Sequence, residues 1–487
     1  MDSNKIIKQS FLLTFVKILS MVLGMVQTML MTHKLLAEDY ALYAKTMTCL
    51  SVASNFSVLG LTDSILYFFN KTSDIEKRKK YINTIFFIQM ISGVLVGFIF
   101  LILMHPVSIW MNNPRLVFTI PIVFIQPLLT NLLNEYNSLY ASSDLAKDTA
   151  VRSGIMAPIR LVITVAALYT EYPVYAYFAF MLLFDVAQVV YFHLVYKSKM
   201  GYSVKINRFE KSYIPSILKF SVPLGLAIVV KAVLMECDKL IVSNQCTEYE
   251  LATYAAVSRT LPVTMFSASM ATLLLPHITR CFHNGEKEEL YRNLRLFYLA
   301  GAITSIVIGF SILPVSREAI IFLYSEKYVS GIVIFIIYLL NDIAGFSYAG
   351  MLLTITGNSK TLLWANAVSL IANIVLDYLS LRSIGILGPA IVTLTVTTFN
   401  FLFQSYIGCR KAGIFFSKAF PGKEVLAVCL KCGCVGLLLY IVKIHFSLGN
   451  ISNLLVYGAI GFLLSIAFNK KVLQKIFSSR RGTGEYE

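Results

Sequence analysis

Charge is what this chain has least of. Asp, Glu, Lys and Arg make up 14% of its 487 residues, where soluble globular chains carry about 25%, so an ordinary water-soluble domain is excluded. Six histidines and eight cysteines are scattered through it. The single cysteine cluster, Cys429, Cys432 and Cys434, lies inside an apolar run, where small residues pack helices, and reads as packing rather than metal ligation. The other cysteines form no disulfide framework. No glycine-rich phosphate loop is present, which argues against ATP as the direct energy source, and no cofactor is expected. Long polar loops are missing too. The longest connector on the expected outer side, Pro314 to Ser330, is about 17 residues, too short for the external catalytic loop of a polytopic glycan polymerase or acyltransferase. Arg317 and Glu318 within it read as surface charge.

What fills the chain instead is apolar: 57% of residues are hydrophobic and the mean hydropathy is +0.71. A helix needs about 20 apolar residues to cross a bilayer. The runs predict an all-α polytopic protein with about fourteen spans: 10–32, 40–69, 82–104, 116–140, 153–169, 174–196, 214–242, 251–276, 296–313, 331–355, 362–380, 386–408, 425–443 and 452–468. The first run has no small-residue cleavage site and is expected to be retained. The formal charge of +16 does not point to nucleic acid, because the basic residues sit in short connectors. Alternate connectors and both termini hold 28 of the 42 basic residues and the opposite set holds five, which predicts cytoplasmic termini. The basic tail from Lys470 to Arg481 reads as an anchor for anionic head groups.

The remaining nine basic residues lie in or beside spans. A charge at the bilayer centre costs ~2.5 to more than 10 kcal/mol, so such residues need a protein interior or a wet cavity. Lys45, Lys219 and Lys443 lie near span ends, from which a lysine can snorkel. Lys17, Arg160, Lys231 and Arg259 do not, and they are expected to line one cationic cavity. The stretch from Ile214 to Arg280, two spans joined by an acidic turn with Glu248 and Glu250, supplies two of these four. Asp185 and Asp342 are mid-span acids suited to ion coupling or to ion pairs, whereas Asp63, Glu135 and Asp377 lie nearer span ends. Glu236, Asp238 and Lys239 form a local charge network. Asn366, Asn373 and Asp377 share one helix face and are expected mainly to hydrogen-bond between helices, as a secondary polar lining. Residues 197–213 read as a basic linker between two bundles. The expected organisation is therefore a six-helix lobe over 1–196, the linker, a second lobe over 214–408, a two-helix hairpin over 409–468 and a cytoplasmic tail over 469–487. Internal repeats of this kind are common in transporters.

Four stretches carry a family resemblance. The opening from Lys8 to Tyr43 includes Phe15, Gly24, Leu35 and Tyr40, with Ala37-Glu38-Asp39 standing where a glycine usually precedes the tyrosine. The second pairs Asp238-Lys239-Leu240-Ile241-Val242 with Glu250-Leu251-Ala252-Thr253-Tyr254-Ala255-Ala256. The third is Leu274-Leu275-Pro276 before a basic connector. The fourth runs from Gly357-Asn358-Ser359-Lys360 through Asn366 and Asn373 to Gly385-Ile386-Leu387-Gly388-Pro389-Ala390. Together they resemble the polysaccharide-export family of lipid-linked oligosaccharide flippases, within the multidrug/oligosaccharidyl-lipid/polysaccharide exporter superfamily. The resemblance implies a bacterial inner-membrane protein whose two lobes enclose a V-shaped central cavity. It implies an undecaprenyl-pyrophosphate-linked glycan as cargo and downstream polymerase and chain-length machinery as partners, with membrane lipids around it and no nucleic acid. Lys17, Arg160, Lys231 and Arg259 would offset the diphosphate, without covalent chemistry. A cation-coupled drug extruder of the same superfamily, a polytopic glycan polymerase and a non-transporting assembly protein are the competing readings. An excess of acids in the cavity would favour the extruder.

Overall fold

The computed structural model describes residues 3–474 apart from 73, 144, 260–277, 347–349 and 471, and describes the backbone alone at 3–15, 17, 18, 70, 146, 147 and 359. The described chain is helical and falls into two compact units, Met1–Ala252 and Thr253–Glu487. Twelve of its helical segments are long and apolar enough to cross a membrane. Each coincides with one expected span. The other two expected spans differ in what is described: residues 10–32 lie within a described helix whose early side chains are not, and most of 251–276 falls outside the described residues.

The first unit holds α1 (Ser3–Lys34), α2 (Ala37–Val58), α3 (Leu61–Lys71), α4 (Ile75–Trp110), α5 (Leu116–Val123), α6 (Gln126–Ser142), α7 (Ala146–Leu168), α8 (Pro173–Met200), α9 (Ile214–Gln245) and the start of α10 (Glu248–Val257). Asp74 caps α4 by accepting from the amides of Glu76 at 2.9 Å and Lys77 at 3.4 Å, satisfying donors that a helix start leaves orphaned. The expected span 116–140 is broken into α5 and α6 where Pro127 opens the second helix, since proline cannot donate within a helix. Its core is aromatic: Phe68, Phe86, Tyr140, Phe192 and Tyr196 are all essentially inaccessible, and the Tyr140 hydroxyl donates to the Phe192 carbonyl at 2.9 Å.

Two features of this unit depart from the expected organisation. First, α9, expected to open a second lobe, packs against α2, α3 and α4 of the first unit. The packing depends on glycine: Gly60 bridges α2 and α3 at φ +70°, and a Cβ on Gly225 would lie 2.5 Å from the Leu59 carbonyl carbon. Gly225→Val is therefore expected to destabilise by ~1–3 kcal/mol through overpacking, read as a lower melting temperature in detergent. Unchanged melting would mean that α9 does not approach α2 so closely. Second, residues 201–213 are no loose linker but a strap folded on α4. Lys205 N donates to Asn83 Oδ1 at 2.8 Å and Glu210 N to Thr84 Oγ1 at 2.9 Å. Phe209 stacks on Phe87 at 3.7 Å and Tyr213 on Tyr81 at 4.3 Å. Lys80 lies 3.2 Å from Glu210 and holds that carboxyl below its ordinary range, helped by Ser212.

The second unit holds α11 (Lys287–Ile312), α12 (Ser316–Tyr324), α13 (Ile332–Ala344), α14 (Ser359–Ile384), α15 (Leu387–Lys411), α16 (Gly422–His445) and α17 (Asn450–Phe468). Helix α11 is central, packing against α13, α16 and α17, with Phe297, Tyr298, Ile303 and Cys432 in its core. The expected span 331–355 is interrupted: α13 stops at Ala344 before Gly345, and Met351–Ile355 is a separate short helix after Gly350.

Candidate functional site

A cavity of about 880 Å³ lies inside the first unit. Helical spacing builds it. Residues 178, 181, 185 and 188 line it from α8, residues 152, 156 and 160 from α7, and residues 126, 130, 134 and 137 from α6. These intervals of three and four keep side chains on one helix face. Helix α1 adds Ser20, Gly24 and Gln27, and Ile228 comes from α9. The walls are rich in amides, including Gln27, Gln126, Asn131, Asn134, Asn137 and Gln188, with four charged residues: Asp63, Arg152, Arg160 and Asp185.

Asp185 is a hub. It is 4% exposed and accepts from Arg160 Nη2 at 3.2 Å, from Gln188 Nε2 at 2.7 Å and from the Gln126 amide. Arg160 is thus compensated locally by its ion pair with Asp185. Arg152 differs. It is 8% exposed, donates Nη1 to Gln188 Oε1 at 2.8 Å and Nη2 to Asn137 Oδ1 at 3.1 Å, and lies 4.0 Å from the centroid of the Phe192 ring. None of these partners is charged, and its Nε has no hydrogen-bond partner. A guanidinium whose hydrogen bonds go only to neutral groups retains donors of the kind that anions accept from. The two arginines and two aspartates give the lining no formal excess of either sign.

Of the four cations expected to share one cavity, Arg160 lines this one. Lys231 is exposed on α9, one turn after the lining residue Ile228. Arg259 is half-buried in the second unit, and the Lys17 side chain lies outside the described residues. Arg152 is not among the residues expected from sequence, because it falls in the connector between the expected spans 116–140 and 153–169; its position eight residues before Arg160, a two-turn spacing, is the sequence signal for a shared face. Next to the lining residue Asn134, Glu135 is fully buried and neither of its oxygens is hydrogen-bonded.

Two of the three lysines expected to snorkel, Lys45 and Lys443, pair instead, whereas Lys219 is exposed. Lys45 is 2% exposed, donates to the Met111 carbonyl at 2.7 Å and lies 3.9 Å from Glu248. Lys443 reaches Glu318 at 2.9 Å, so Glu318, 6% exposed, is no surface charge. Lys239 pairs with Glu236 at 3.1 Å, as a local network would. In the second unit Asp342 is buried in α13. Asn366 accepts across helices from Asn400 at 3.2 Å and Gln404 at 2.8 Å, whereas Asn373 bonds within its own helix to Asp377 at 3.2 Å. Cys432 is buried and Cys434 exposed, as alternate faces of a packed helix require. Among the described residues one group of metal-capable atoms gathers, Cys281, Glu286 and Glu289, but Arg292 holds Glu289 at 2.7 Å and Asn293 reaches Cys281 at 3.5 Å.

A family model described as polysaccharide biosynthesis protein matches residues 13–333. No curated protein matches the chain. Among solved structures, the lipid II flippase MurJ in an inward-closed conformation superposes with a TM-score of 0.75 at 16% identity, over 95% of this chain and 100% of that one. An inward-facing multidrug-resistance MATE transporter gives 0.67 at 12% identity, over 83% and 98%. A transporter of the multidrug/oligosaccharidyl-lipid/polysaccharide exporter superfamily from Pyrococcus furiosus, described as having a binding pocket of reversed polarity, gives 0.57 at 13% identity, over 83% and 94%. The fold is the one these transporters share.

Proposed function

The chain belongs to the polysaccharide biosynthesis protein family, whose model covers about two thirds of it, and we propose that it moves an undecaprenyl-pyrophosphate-linked oligosaccharide unit from the cytoplasmic to the outer leaflet by alternating access. In this reading fourteen spans form two six-helix lobes around a central cavity, with a final pair, in a bacterial inner membrane with both termini cytoplasmic. Delivery is to a downstream polymerase and its chain-length machinery. The observation that carries the reading is Arg152, a buried cation held only by neutral partners in a wall of amides. A diphosphate crossing hydrocarbon needs compensating charge, which a guanidinium supplies through paired donors. The amides Asn131, Asn134 and Asn137 match sugar hydroxyls in kind. Arg160 stays bound to Asp185 until the cargo competes for it, and Lys17, Lys231 and Arg259 add positive charge along the route. No bond is made or broken.

The second reading, a cation-coupled extruder, draws support from Asp63, an exposed acid on the cavity lining, and from the shared MATE fold. Deleting the gene and analysing lipid-linked glycans separates the two. Intermediates held on the cytoplasmic face are expected. Translocated but unpolymerised units, or normal surface glycan with heightened sensitivity to cationic drugs, would refute the flippase.

A further inference from the structure

A second cavity of about 650 Å³ lies away from the amide-lined one, between α4, α6 and α8 and beneath strap residues 203–207. Its walls are apolar, with Phe86, Met90, Leu132 and Val190 among them, and Val190 is 52% exposed on the outer face of α8. One polar pair interrupts the wall. The Tyr136 hydroxyl meets His193 Nδ1 at 2.9 Å, which orients the ring and leaves Nε2 for a ligand. The rim carries Lys205, exposed, and Asn207. It is basic beyond local need. Between residues 197 and 211 there are five lysines and arginines, of which Lys199 is paired with Asp148, and a single acid, Glu210, which is already paired with Lys80. The strap cannot drift off this opening freely, since the amide bonds to Asn83 and Thr84 and the Phe87–Phe209 stack pin it to α4.

From this juxtaposition of an apolar slot with a positively charged, pinned rim, we infer that the slot binds one molecule of an anionic phospholipid, with an acyl chain against α4, α6 and α8 and the phosphate at Lys205. The volume suits a ligand site, which typically encloses ~300–1,000 Å³. Apolar chain burial would supply the affinity and the basic rim the preference for negative head groups. The inference does not depend on what the large cavity carries.

The test uses the purified full-length protein, exchanged from phosphatidylcholine vesicles containing phosphatidylglycerol and examined by native mass spectrometry. One phosphatidylglycerol per chain is expected to be retained over phosphatidylcholine. Val190→Trp, which fills the slot from its lipid-facing side, is expected to lower retention at least about tenfold, equivalent to two lost methylene contacts. Val186→Trp, one turn away and also exposed but outside the lining, is expected to leave it unchanged. Lys205→Glu is expected to weaken the preference for phosphatidylglycerol about fivefold or more. Soluble glycerol phosphate should not displace the lipid. Equal retention of both lipids, equal loss with both tryptophans, or displacement by glycerol phosphate would overturn the site. Should Val190→Trp fail to fold, the Lys205→Glu preference decides alone.

Discussion

Arg152→Gln is expected to slow translocation of a fluorescent lipid-linked diphosphate in proteoliposomes by about 10- to 100-fold, the range set by the ~1.5–3 kcal/mol that a hydrogen bond to a charged group contributes. The reasoning starts from what surrounds the guanidinium. Its donors are engaged by Gln188 and Asn137, neither charged, and Asp185, which attracts it through space, accepts its hydrogen bonds from Arg160, Gln188 and Gln126 and not from it. Removing Arg160 alone should cost less, because that residue must first leave Asp185. Arg152→Lys keeps the charge but not the planar fork and is expected to fall between wild type and Arg152→Gln. A purely structural role predicts a different pattern, in which loss of rate follows loss of melting temperature. The informative measurement is therefore the rate of a well-folded Arg152→Gln protein at saturating and at low cargo. Wild-type rates in both regimes would remove the diphosphate site from Arg152.

The spans were legible because hydropathy reports on the solvent around a helix, and the bilayer is a uniform solvent. All twelve apolar segments among the described residues fall on expected spans. Partner choice was less legible, since it depends on which helix faces meet. Lys45 and Lys443 lie near span ends, so snorkelling was the simpler reading, yet each lies near an acid distant in sequence, Glu248 and Glu318. Asp185 with Arg160 was foreseeable as a pair in kind, because a mid-span acid needs a partner. Arg152 was lost to a boundary. Polar residues Ser142 to Asp148 look like a connector, but α7 already begins at Ala146, which makes Arg152 an interior residue. The strap misled for a related reason: its basic composition resembles a solvated linker, whereas Phe209 and Tyr213 carry it back onto α4.

Lys443→Met is expected to destabilise the second unit by ~3–5 kcal/mol, the usual consequence of leaving one member of a buried ion pair uncompensated. Lys443 on α16 donates to Glu318 on α12 at 2.9 Å and to the Pro314 carbonyl at 2.6 Å, and Asn453 on α17 donates to the same carboxylate at 3.3 Å. Side-chain exposures of 12% for the lysine and 7% for the glutamate mean that little solvent screens the charge left behind. Three helices therefore converge on one carboxylate, and the terminal hairpin is fastened to α12 by charge as well as by packing. Its glycines allow the approach, a Cβ on Gly436 lying 3.2 Å from the Phe310 carbonyl oxygen. The double variant Lys443→Met with Glu318→Gln removes both charges and keeps an acceptor for Asn453. It is expected to recover most of the loss, to within ~1 kcal/mol of wild type, because the penalty comes from the orphaned charge and not from the missing attraction. Denaturant titration of the four proteins in a double-mutant cycle gives the coupling directly. If the double variant is no more stable than Lys443→Met alone, the pair is not what fastens the hairpin, and packing of α16 and α17 on α11 carries that attachment by itself.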